Sequence, residues 1–157
     1  MRKRIIVPVQ QETTSPDHDW LNMEELTEVE ITSEDSAHPI EFALLPNQVS
    51  GWRAAGPGKQ TIRLLFTHPQ RLQRISLHFE ETRTERTQEY VLRWLPDGGQ
   101  SFQEIVRQQW NFSPQDTTCE TEDHHVELPA VAVLELIITP DISGGTAIAS
   151  LEQLRLA

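Results

Sequence analysis

The sequence predicts an all-β fold, an antiparallel sandwich or barrel of about eight or nine short strands. Three observations carry this. Apolar residues alternate with polar ones in run after run, most clearly Ile62, Leu64 and Phe66 within Thr61–Phe66 and Ile75, Leu77 and Phe79 within Arg74–Phe79. A period of two puts each trio on one face of a pleated strand. The runs are punctuated by turn residues, of which Pro96-Asp97-Gly98-Gly99 is the strongest hairpin signal. Finally, no segment sustains the 3.6-residue period of a long helix.

Taken in order, residues 1–19 mix charge, Gln, Thr and Pro without a period, which predicts a flexible or extended N-terminal arm ahead of a domain spanning 20–157. Leu21–Leu26 suits a short helical turn, and Val29 and Ile31 a first half-buried strand. A loop over Ser33–Pro39 leads to a second strand carrying Ile40, Phe42 and Leu44. Gly51–Gly58 reads as an irregular connection that presents Trp52 and Arg53, because its glycines and proline break regular structure. After the two central strands, Glu80–Thr87 is a polar surface connection, and Tyr90, Leu92 and Trp94 then share the inner face of a strand. Its hairpin partner is Ser101–Gln109. Trp110, Phe112 and an acidic loop over Gln115–Asp123 follow, then a short strand at His125–Leu128 and a nearly continuous apolar strand, Val131–Thr139, expected to be covered on both sides. Ala147–Leu156 closes the domain with Leu151, Leu154 and Leu156.

A chain of 157 residues makes one domain with enough core to fold without a metal or disulfide. Its single Cys119 has no internal partner, the start MRKRIIVPVQQ lacks the apolar stretch and cleavage site of a leader, and no apolar run nears the roughly 20 residues of a membrane span. The expectation is a soluble, cytoplasmic protein with no membrane partner. A net charge of −11 opposes nucleic acid, which binds through clustered Lys and Arg. The arginines that gather in the middle third, such as Arg63 and Arg93, are read as solvated strand faces.

In that order of elements the chain resembles the galactose-binding-like β-sandwich, a jelly roll shared by discoidin (coagulation factor type C) domains and many carbohydrate-binding modules. The resemblance runs from Trp20 to Leu156. It rests on Asn47–Trp52, the strand QTIRLLF, Pro69, the strand RISLHF, the hairpin PDGGQSF and the final SLEQLRL. Trp52 stands where the family has a Trp before its aromatic-ended strand, and Glu152 where it has a Glu near the last strand. The terminal Cys pair of extracellular discoidin domains is absent, and the calcium loop the family carries before that Trp is reduced to Asn47-Gln48. Structural calcium is therefore unsupported, and no cofactor is expected.

A sugar site needs an apolar platform for the ring and convergent donors and acceptors for its hydroxyls. Trp52 with Arg53 meets that description, and the resemblance implies a rim of loops at one end of the sandwich, where His38 and Asn47 would join them. The favoured reading is that Trp52 plugs the end of the core, as the Trp at this position in the resembled family often does. Trp110, set among the amides Gln108, Gln109 and Asn111, is a second aromatic candidate, and it too suits an inward strand position. His124 and His125 are adjacent and point to opposite faces of a strand, so they do not grip one metal. No nucleophile elbow, paired Cys and His, or phosphate-cradling glycine loop is present, and Gly56-Pro57-Gly58-Lys59 lacks P-loop spacing. The functional expectation is a non-catalytic ligand-binding module, binding carbohydrate through its loops. The alternative is a protein-interaction domain on the same fold. Self-association through Ile5-Ile6-Val7 of the arm, added to a neighbour's sheet edge, is a further expectation.

Overall fold

The computed structural model of the protein describes residues 20–46 and 50–157. The N-terminal arm, with the self-association expected of it, and Asn47 lie outside these residues. The described chain forms two one-turn helices and eight strands, in the order α1 (Met23–Leu26), β1 (Thr27–Ile31), α2 (Glu41–Leu44), β2 (Trp52–Pro57), β3 (Gln60–Glu80), β4 (Arg86–Pro96), β5 (Gln103–Phe112), β6 (Cys119–Thr139), β7 (Ile148–Leu151) and β8 (Gln153–Leu156).

The architecture depends on β3 and β6, which are long enough to serve two layers. Their outer stretches pair in one layer, Gln60–Leu65 against Val133–Ile138, with β1 on one side and β4 then β5 on the other. Beyond register shifts between Leu65 and Arg74, the same two strands pair again, Arg74–Glu80 against Cys119–His125, with β8 alongside β3. Irregular pairing lets a strand bend, so one strand turns the corner from layer to layer. The layers face each other directly. The rings of Phe79, in one, and Tyr90, in the other, lie 5.4 Å apart, and the Tyr90 hydroxyl is 2.6 Å from His124 Nε2 across the gap. Ile62, Leu64, Ile75, Leu77, Phe79, Leu92, Leu134 and Leu136 are all buried between them. Each such side chain contributes roughly 1.5–3 kcal/mol through its removal from water.

The alternation that buries these residues turns the intervening ones outward. Across the larger layer Glu30, Arg63, Glu135 and Arg93 stand in register on β1, β3, β6 and β4, a row of alternating charge. Arg63 Nε donates to Glu135 at 2.7 Å, and Arg93 lies 3.4 Å from the other carboxylate oxygen, an ion pair without an aligned hydrogen bond. Arg63, Arg74, Arg93 and Arg107 are thus sheet-face partners of acids, whereas Arg86, contrary to the expectation of a solvated face, is buried and bonded to Glu81, Gln88 and the Pro140 carbonyl.

Several local expectations are corrected. Glu41–Leu44, with Ile40 as its N-cap, is helical and not a strand: Ile40, Ala43 and Leu44 are the buried positions, the i, i+3, i+4 spacing of a helix face, and Phe42 is not among them. The Gly51–Gly58 connection contains a strand, β2, whose antiparallel pairing to β7 absorbs Gly56 in an irregularity between Arg53 and Pro57. The two central strands are one bent strand, as are His125–Leu128 and Val131–Thr139. The acidic loop ends at Cys119, where β6 begins, and Glu120 within it is buried. Val131–Thr139 is covered fully on one face and partly on the other, with Val133 and Ile137 half-buried.

Candidate functional site

At β2 the two-residue period separates two neighbouring side chains. Trp52 points inward, 1% exposed, and its indole N–H donates to the Ser33 carbonyl at 3.1 Å; Arg53 points outward into solvent. The loop before α2 is laced to the same strand. Asp35 N–H donates to the Arg53 carbonyl at 2.8 Å and Arg53 N–H to the His38 carbonyl at 3.2 Å, while His38 Nδ1 lies 3.3 Å from Asp35 Oδ2. The Ala37 N–H, bonded to Asp35, holds that carboxylate below its ordinary range, with His38 adding to the effect. His38 and Arg53 are therefore fixed side by side.

The opposite wall is built where β7 passes into β8. Glu152 N–H donates to the His78 carbonyl at 2.9 Å, so the carboxylate leaves the sheet at the bend between the two strands. Gly51 sets the distance between walls. It adopts φ +58°, and a Cβ there would come within 2.5 Å of the Leu151 carbonyl oxygen and 2.7 Å of Glu152 Cα. Only glycine combines that dihedral with that approach.

Between these walls lies an open cleft of about 690 Å³, bounded by His38, Arg53, Glu80, Arg83, Ser150 and Glu152, with Thr82, Thr84 and Thr146 at its edge. Partial burial, reinforced by the charge of Glu80, raises the pKa of Glu152 above the usual carboxylate range. Burial pushes Glu81 the same way, but its bond from Arg86 Nε at 2.8 Å and those from the backbone of Arg83 and Thr84 outweigh it and keep the acid ionised. The cleft thus offers guanidinium and imidazole donors, carboxylate acceptors and hydroxyls that do both. Among the described residues, its lining contains no Trp, Tyr or Phe.

Of the residues singled out in sequence, His38 and Arg53 come together here. Trp52 does not stack on a ligand, because it is buried in the core beneath them. Trp110 is not in the lining: it sits on β5 opposite Gln88 of β4, half-buried and packed against the core, with its indole N–H shielded and unpartnered. Glu80, Arg83 and Ser150 had no sequence signal beyond polarity. Only the folding of three separate segments onto one rim brings them together, and the family position of Glu152 was the one available clue.

No protein-family model and no curated protein matches the chain. Solved structures do. The module CpGH89CBM32-5 from Clostridium perfringens, in complex with GalNAc-β-1,3-galactose, superposes with a TM-score of 0.64 at 16% identity, covering 87% of this chain and 98% of that one. The family 32 carbohydrate-binding module of NanJ from C. perfringens, in complex with galactose, gives 0.60 at 14% identity over 87% and 96%. A pectin-binding carbohydrate-binding module gives 0.57 at 16% identity over 84% and 90%. The likeness spans nearly the whole of each module. The fold is therefore the galactose-binding-like jelly-roll β-sandwich that the resemblance implied.

Proposed function

We propose that the protein is a non-catalytic carbohydrate-binding module and that the cleft between His38, Arg53 and Glu152 is its sugar site. The observation that carries this is the convergence of an exposed guanidinium, an imidazole and a half-buried carboxylate on one open cleft, on a fold whose solved examples include modules in complex with galactose and with GalNAc-β-1,3-galactose. Arg53 donates to ring hydroxyls, Glu152 accepts from them, and Ser150 and the threonines complete the set. With no aromatic platform, recognition rests on hydrogen bonds, each of them exchanged against water and each worth about 0.5–3 kcal/mol net. Affinity is correspondingly modest, millimolar to micromolar, or roughly 4–8 kcal/mol. The acids beside Arg53 favour a neutral sugar over a uronate, because a second carboxylate in the cleft meets Glu80 and Glu152.

A glycan panel followed by calorimetry with galactose tests the reading. Binding of one sugar per chain that is lost in Arg53→Ala supports it. Failure of every glycan to bind, with a protein recovered in stoichiometric amount on the immobilised chain, favours the protein-interaction alternative.

A further inference from the structure

At the rim of the cleft, on the solvent face of the smaller layer, three metal-ligating side chains of different chemistry meet on adjacent strands. His78 and Glu80 lie two residues apart on β3, on one face, and Cys119 of β6 is the register partner of Glu80. His78 Nε2 is 3.1 Å from Glu80 Oε1, and Cys119 Sγ is 4.0 Å from the same oxygen; all three donor atoms fall within 4.8 Å of one another. Ligands on a tetrahedral zinc, bound at about 2.0–2.3 Å, stand roughly 3.3–3.8 Å apart, so sub-ångström side-chain adjustments close the set.

The histidine is already oriented. His78 Nδ1 is 2.8 Å from Thr121 Oγ1, its register neighbour on β6. With Nδ1–H donating to that hydroxyl, Nε2 is the nitrogen left to bind a cation, and it is the one that faces Glu80 and Cys119. All three donors sit on paired strands and not on loops, which holds their backbone spacing fixed. A thiolate, an imidazole and a carboxylate are the ligand mixture of borderline metals, and calcium takes oxygen alone.

We propose that His78, Glu80 and Cys119 form a three-ligand site for a divalent borderline metal, zinc being the best fit, with Thr121 positioning the imidazole. A fourth position is left to water or an outside ligand. The site shares Glu80 with the cleft but none of the residues proposed to hydrogen-bond the sugar, Arg53, Glu152, Ser150 and the cleft threonines, so its test is read on the metal alone.

The full chain, purified under reducing conditions and stripped with a chelator, is titrated with Zn²⁺ by calorimetry and with Co²⁺ by visible absorption. The expected result is one metal per chain, with a thiolate-to-cobalt charge-transfer band. Cys119→Ser abolishes that band, and His78→Gln and Glu80→Gln each weaken zinc. Thr121→Val weakens it by about 10–100-fold, as loss of a supporting hydrogen bond does. All four residues are on the surface layer, and circular dichroism of each variant shows whether the sheet is kept. Zinc that fails to bind, or that binds Cys119→Ser and His78→Gln as tightly as the parent, overturns the proposal.

Discussion

Trp52 and Arg53 are neighbours in sequence and belong to different parts of the molecule. One side chain is sealed under the β2–β7 pair and bonded to the Ser33 carbonyl; the other stands in the cleft. A similar contrast separates Glu120 and Glu152. Glu120 is buried between the layers, where Gln88 donates to it at 3.3 Å and Glu122 crowds it, and burial with that like charge pushes its pKa up to about 7. Glu152 is shifted the same way, but it lies at the cleft, where a ligand's hydroxyls can reach it. On the proposed reading of the cleft, stability and recognition are carried by separate side chains even where the backbone is shared. Substitutions should therefore divide into those that unfold the protein and those that only silence it.

The largest effect is expected at the inner member of the first pair. Trp52→Ala removes a fully buried indole and should cost about 3–5 kcal/mol in chemical denaturation. A loss under 1 kcal/mol would place the ring outside the core and erase the contrast. Gly51→Ala comes next, at about 1–2 kcal/mol for the left-handed backbone and more for the contact with Leu151 and Glu152. Because that contact also sets the cleft width, sugar binding should weaken in the fraction that stays folded.

Glu120 supplies a pH test with a definite sign. Its folded pKa, about 7, lies above the ordinary 4.5, so the folded state holds the extra proton between those values. Its contribution is complete below about pH 4.5 and is lost as pH rises toward 7, so stability from this group falls across that window. Glu120→Gln keeps a bond to Gln88 without the charge and should flatten that part of the stability profile, measured by urea unfolding at several pH values. An unchanged slope would show that Glu122 or another acid carries the proton.

Most of the layer pattern was legible because alternation is a local signal. Ile62, Leu64 and Phe66 face inward as their spacing requires, and so do Ile75, Leu77 and Phe79. What sequence concealed was where strands end. Pro69 and Pro129 lie at corners that bend a strand without terminating it, because the register shift there leaves room for a residue that cannot donate to the ladder. The helical turn at Glu41–Leu44 was hidden because Ile40, Phe42 and Leu44 also satisfy a period of two. In the site, Arg53 and His38 were visible as polar residues on loops, whereas Glu80, Arg83 and Ser150 become a wall only through pairing between distant segments. Glu120 was read as part of an acidic loop because composition carries no information about which acid points inward.

The smallest expected effect on stability belongs to Arg53→Ala, within about 0.5 kcal/mol, as for other exposed positions. It is also the most direct test of the account. Calorimetry with the sugar selected from the glycan panel, run on the parent and on Arg53→Ala at equal melting temperature, should show binding weakened by about tenfold or more, the loss of one charge-assisted hydrogen bond. Equal affinity in the two proteins would contradict the assignment of the cleft.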